Sequence, residues 1–210
     1  IFLPNTIDFD ISNCCFTIVD FLLFKLELEP EIQEIFKKEI EALRQCAVDR
    51  GASAQNAAKV MPSEWKNLLL EVLNGGRVPD MYKEIAFVND ISNAGRFLRL
   101  LACGQMRTTT DRLYEHKIKD WVEASVFSYW WQQVEATCLL HMMDYVKSLD
   151  YDHLSLAHDG FRVNKERVQA LLGQHGDLPS ATTNFCRDLE TLNRVNVGIT
   201  TKIVAKEHPF

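Results

Sequence analysis

The sequence predicts an α+β fold, with a small antiparallel sheet built from the two ends of the chain and a large helical insertion between them. Two observations carry this. Near the start, Ile7-Asp8-Phe9-Asp10 alternates apolar and acidic residues, as a half-buried strand does. Far downstream, Leu154 to Val163 runs apolar, breaks at His158-Asp159-Gly160 and turns apolar again, which reads as a β-hairpin with a carboxylate at its tip. A third observation is the long stretch between them, whose apolar residues recur at helical spacing.

In order, a strand over Ile7–Asp10 is followed by Ser12 or Asn13 capping a helix over Cys14–Leu26. Pro30 opens a helix from Glu31 to about Val48, with Ile32, Ile35, Phe36, Ile40 and Leu43 inside, ended by Gly51. Ser53 caps a short helix through Lys59. Pro62-Ser63-Glu64 starts another, Trp65 to Leu73, stopped by Asn74-Gly75-Gly76. A helical region follows from about Asp80 to Gln105, and Thr108-Thr109-Thr110-Asp111 reads as a turn and cap. A helix dense in aromatics, including Trp121, Phe127, Trp130 and Trp131, runs from about Asp120 to Leu149. After the hairpin, Asn164 caps a helix over Lys165–Leu172 and Ser180 one over Ala181–Leu192. Val197–Ala205, β-branched and alternating, reads as the last strand.

The 210 residues fit a single domain, 1–210, with the helical insertion at about 30–118. At 47% hydrophobic and 25% charged, the chain has the make-up of a folded domain. A net charge of −6 weighs against a broad nucleic-acid-binding surface, though local Lys and Arg clusters can still serve one. The six cysteines show no C-x-x-C pair, which argues against a zinc site or disulfide framework. Reduced thiols in an intracellular compartment are expected, with no membrane partner, since no signal peptide or spanning run is legible. The chain opens on Ile-Phe-Leu-Pro without Met, which suits an excised domain, a processed product or an engineered segment alike.

The candidate chemistry begins with Asp8, Asp10 and Asp159. A single strand-end aspartate commonly just makes a turn. Acids on two strands distant in sequence form a site only if those strands are neighbours. They would then offer hard anionic oxygens to Mg²⁺ or Mn²⁺ for two-metal phosphoryl transfer. Lys66 is either a solvated helix lysine or a point charge for a phosphate. Gln132 is either a surface residue or an amide reading a duplex groove. His158 is either a strand histidine in the core or a contact to a primer terminus.

In order and spacing these pieces resemble the palm and fingers of family A DNA polymerases and the related single-subunit RNA polymerases. Asp10-Ile11-Ser12-Asn13 is similar to the family's first motif, Asp-x-Ser-Gln. Lys66, eight residues before Asn74-Gly75, is similar to the fingers lysine that precedes a Tyr-Gly. Phe127 with Gln132 resembles the Phe-Asn-x-x-x-Gln segment of a palm helix. His158-Asp159-Gly160-Phe161 resembles the third motif, and Val197-Gly198-Ile199-Thr200 the strand closing the palm. Asn74 replaces the fingers tyrosine, Cys15 the acid that gates the ribose, and Gly160 a second acid. The resemblance implies a palm-like sheet, a fingers-like insertion and template-directed nucleotidyl transfer with Mg²⁺ or Mn²⁺. It implies metal ligation by Asp10 and Asp159 with Asp8 as a helper, and nucleotide contacts at Lys66, Asn74 and Cys15. Gln132 and His158 would contact a primer-template, and further segments would supply a thumb. The lost fingers residues equally suit a polymerase-like module without catalysis, and the acids alone suit another metal-dependent phosphotransferase or nuclease.

Overall fold

The computed structural model describes residues 6–115, 122–149, 155–157, 160–166, 168 and 178–208. The fold is α+β. It divides into a sheet unit, Ile1–Cys14 with Val134–Phe210, and a helical unit, Cys15–Gln133.

The sheet unit holds four antiparallel strands in the order β2-β3-β1-β4. They are β1 (Thr6–Ile11), β2 (Ser155–Ala157), β3 (Gly160–Asn164) and β4 (Ile203–His208). The first strand thus lies between strands from the other end of the sequence. On β1, Ile7, Phe9 and Ile11 are fully or almost fully buried on one face. Phe9 stacks on Phe161 at 5.5 Å between ring centroids and meets Phe185 edge-on at 4.9 Å. Phe185 and Leu189 come from the helix Leu178–Asn196, here α9. Successive strand residues point to opposite faces, so Asp8 and Asp10 share the other face.

The helical unit is packed from α1 (Cys14–Lys25), α2 (Pro30–Ile35), α3 (Lys37–Asp49), α4 (Ala52–Ala58), α5 (Pro62–Leu73), α6 (Ala86–Gln105) and α7 (Arg107–Glu115). The first half of α8 (Val122–Ser148) joins them. Trp65 is fully buried and donates its indole N–H to the carbonyl of Arg50 at 2.7 Å. Gly95 of α6 lets that helix lie against the end of α5, since a Cβ there would be 2.2 Å from the carbonyl oxygen of Leu73.

Several expected boundaries move, each for a local reason. The helix expected over Glu31 to Val48 is two helices, broken at Phe36 (φ −103°), whose ring stacks on Phe97 at 4.0 Å. The region from Asp80 begins as a single 3₁₀ turn, Asp80–Tyr82, and becomes α-helical only at Ala86. Thr108–Asp111 is not a turn but lies within α7, where the Thr110 hydroxyl bonds the carbonyls of Met106 and Cys103. At the far end α9 continues to Asn196 and closes on Gly198 (φ +81°), with the carbonyl of Asn193 accepting from Val197 and Gly198. The last strand therefore starts at Ile203 rather than Val197. Most of the helix expected over Lys165–Leu172 lies outside the described residues.

Candidate functional site

The polar face of the sheet carries the candidate acids. β1 pairs with β3 in the register Asp8↔Arg162 and Asp10↔Gly160. On its other side β1 pairs with β4, with Asp8↔Lys206 and Asp10↔Val204. Asp8 is thus flanked by a cation on each neighbouring strand. The expected acid pair was Asp10 facing Asp159, but the residue directly across from Asp10 is Gly160, one step along the chain. His158 and Asp159 themselves lie outside the described residues.

Asp8 is engaged by Arg162 at two points, Nε to Oδ1 at 2.7 Å and Nη2 to Oδ2 at 3.2 Å. Its side chain is 9% exposed. A two-point guanidinium pair at this depth holds its partner in one geometry. Asp8 therefore completes the sheet's own charge balance instead of standing ready for a cation, the helper role expected from sequence. Asp10 is less enclosed, at 22% exposed, and Lys206 reaches it diagonally with Nζ 3.6 Å from Oδ2. That distance is beyond a strong hydrogen bond, and Lys206 is 63% exposed.

Gly160 is fixed by the same packing. A Cβ built there would lie 2.2 Å from the carbonyl oxygen of Phe9 and 2.3 Å from Asp10 Oδ1. The Asp10 carboxylate and the β1 backbone fill the space that a side chain at 160 would need. An acid at this position, as the resemblance would have it, does not fit this strand pairing.

The remaining candidates belong to the helical unit. Lys66 is exposed on α5. Asn74 is the residue at the end of that helix, and its amide donates to the carbonyl of Leu70 at 2.8 Å. Eight residues of α-helix turn through about 800°, which sets Lys66 and Asn74 roughly 80° apart around the axis. Cys15 is 7% exposed and packs into the unit's hydrophobic core with Phe16 and Val19, so its thiol presents little surface to a nucleotide. Gln132 is exposed on α8 and donates to the Ser128 hydroxyl at 2.9 Å. Phe127, one face away, is fully buried.

Sequence reading missed Arg162 and Lys206. The signal was available in the alternation: both sit at strand positions whose side chains share the face of Asp8 and Asp10, but that follows only once the register is known. It also missed Arg99, which donates to the carbonyl of Leu73 at 3.2 Å and covers Gly75 at the end of α5. A groove of about 1100 Å³ in the helical unit is lined by Leu23, Phe24, Leu28, Ile40 and Val48, and by none of the candidate residues.

For a hard divalent cation, the chemistry of the donor set is the test. Asp10 offers a carboxylate of the right kind with some access to solvent. Asp8 is committed to Arg162. No group of three or more His, Cys, Asp or Glu side chains suited to a metal occurs among the described residues. The described face therefore offers one partly accessible carboxylate, Asp10, beside the Lys206 ammonium. No helix among the described residues is long and apolar enough to cross a membrane. Compared with known proteins, the chain matches no family model and no curated sequence.

Proposed function

We propose that the chain performs template-directed nucleotidyl transfer, as a divergent palm-and-fingers portion of a family A-like polymerase. One observation carries the reading. Strands distant in sequence lie side by side, with Asp10 directly opposite Gly160, the residue bonded to Asp159. The pairing supports the reading by setting the strand of Asp10 beside the strand that follows Asp159 in sequence.

In this reading Asp10 and Asp159 hold Mg²⁺ or Mn²⁺. When bound, the cation offsets charge on the triphosphate and makes a primer 3′-hydroxyl a better nucleophile. The hydroxyl oxygen would attack the α-phosphorus and give its proton to water, as the new P–O bond forms, the bond to the β-phosphate oxygen breaks and pyrophosphate leaves with that electron pair. Lys66, exposed on α5, supplies a compact charge for the phosphates. The resemblance would assign Asn74 and Cys15 to the nucleotide, although the Cys15 thiol is buried in the core, and Gln132 and His158 to the primer-template.

Asp10→Asn and Asp159→Asn are each expected to abolish primer extension, by at least about 100-fold, while far-UV circular dichroism and the urea midpoint stay near wild type. Extension at the wild-type rate in either variant would sink the assignment. Scoring the same reactions for degradation of the primer separates a metal-dependent nuclease from a polymerase.

A second reading has its own support. On the described face the charges of Asp8, Asp10, Arg162 and Lys206 cancel, which suits a polymerase-like module kept for binding rather than catalysis. Primer-template binding without extension, at any nucleotide concentration, would favour it.

A further inference from the structure

The groove in the helical unit shares no residue with the candidate site. Its length follows from one helix. Lys37, Ile40, Glu41, Arg44 and Val48 of α3 all line it. They recur every three or four residues, so they form a single stripe along the helix. From Lys37 to Val48 that stripe rises through about 17 Å, roughly three turns. Phe24 at the end of α1, with Glu27 and Leu28 in the turn after it, adds to the lining. At about 1100 Å³ the groove exceeds the roughly 300–1000 Å³ of a small-molecule pocket.

The lining combines apolar surface left in water with unbalanced negative charge. Phe24 is 74% exposed and Val48 is 82% exposed. A lone exposed apolar residue is ordinary, but two in one concave surface mark a place that another chain covers. Lys37 pairs with Glu34, and Arg44 with Asp20, so both bases of the lining are balanced from within. Glu27 and Glu41 are exposed and have no ion pair among the described residues. Residues 20–49, which hold the whole lining, carry eight acids against four bases, so most of the chain's net charge of −6 lies here. A second copy meeting this surface groove to groove would set acid against acid. An amphipathic helix with an apolar stripe flanked by Lys or Arg is complementary in both respects, and about eleven residues of it match the groove's length.

We propose that this groove binds a basic amphipathic helix of a partner protein. Its apolar stripe packs on Phe24, Ile40 and Val48, and its Lys or Arg side chains pair with Glu27 and Glu41. The proposal goes beyond the nucleotidyl-transfer reading and does not depend on it.

Fluorescence anisotropy with the full chain and a labelled model peptide tests this. The peptide is a helix of roughly 18 residues with Leu at every third or fourth position and Lys beside them, and a companion carries Glu in place of each Lys. The Lys peptide is expected to bind saturably, one per chain, and the Glu peptide at least about tenfold more weakly. Phe24→Asp is expected to weaken binding of the Lys peptide at least about fivefold, with its urea midpoint near wild type because the side chain is exposed. The added negative charge alone would strengthen an electrostatic attraction, so that loss reads the apolar contact. Glu41→Lys is expected to weaken binding about fivefold and to flatten its salt dependence. No saturable binding of the Lys peptide, equal binding of the two peptides, or an unchanged affinity in Phe24→Asp would overturn the proposal. Self-association of the wild-type chain in sedimentation equilibrium, lost in Phe24→Asp, would overturn it too and assign the groove to a second copy.

Discussion

Asp8 and Asp10 are two residues apart on one strand, yet the structure gives them different roles. Asp8 is nearly enclosed and doubly bonded to Arg162. Removing one partner of such a pair strands a charge where water is scarce, which costs far more than losing an exposed pair. Arg162→Leu is therefore expected to destabilise the fold by about 2–3 kcal/mol, with Lys206 too loosely held to replace it. Lys206→Met is expected to change stability by less than about 0.5 kcal/mol. Urea denaturation of the two variants side by side reads the difference directly, and equal losses would refute the distinction.

The helix α6 shows how one residue type takes opposite values along one element. Gly95 faces the end of α5, where a Cβ would stand 2.2 Å from the Leu73 carbonyl, a backbone atom that cannot move aside cheaply. Gly104, nine residues on, has nothing within 4 Å of its Cβ position. Alanine gains about 1 kcal/mol over glycine in a helix interior, while overpacking costs about 1–3 kcal/mol. At Gly95 the collision outweighs the propensity, so Gly95→Ala is expected to destabilise by about 1–2 kcal/mol. At Gly104 nothing opposes the gain, so Gly104→Ala is expected to stabilise by about 0.5–1 kcal/mol. Thermal or urea unfolding checks both signs. The carbonyl of Leu73, crowded by Gly95, also accepts from Arg99, so one short stretch both seats α6 and terminates α5.

At the scale of the whole molecule, the cysteines report on folding in alkali. Burial pushes the Cys46 thiol up to about 12, with the charge of Asp49 adding to it, and the Cys138 thiol up to about 11, with Glu135 adding. Both are fully buried, Cys46 in the helical unit and Cys138 in the sheet unit. In the unfolded chain these thiols ionise near pH 9, while in the folded chain they keep their protons. Between pH 9 and about 11 the folded state thus binds more protons, and stability falls as pH rises. The contribution is full below pH 9, and its loss from pH 7.5 to 9.5 is about 1.5 kcal/mol for the two groups together. Urea midpoints across that range should decline, and the Cys46→Ala variant should decline less steeply. An equal slope in that variant would count against the assignment.

Much of the fold was legible because it rests on local signals. The alternation in Ile7–Asp10 and the apolar runs around His158-Asp159-Gly160 announced strands at both ends of the chain, and helical periodicity announced what lies between. Boundaries moved wherever a tertiary contact outweighed propensity. Phe36 left its helix to stack on Phe97, and Asn193 drew Val197 and Gly198 into the end of α9 instead of a strand. At the candidate site the sequence by itself determined the residue types: Asp8 and Asp10 alternating with apolar residues on one strand, and Asp159-Gly160 between two apolar runs. What only the tertiary structure decided is which neighbours those acids meet. A strand's alternation says which residues share a face, but not which residue of another strand comes opposite, and a slip of one residue exchanges the two faces. Register placed Arg162 and Lys206 on either side of Asp8 and Gly160 against Asp10. It is that pairing, invisible in the linear order, that commits Asp8 to Arg162 and sets Asp10, partly buried, beside Lys206 and Gly160.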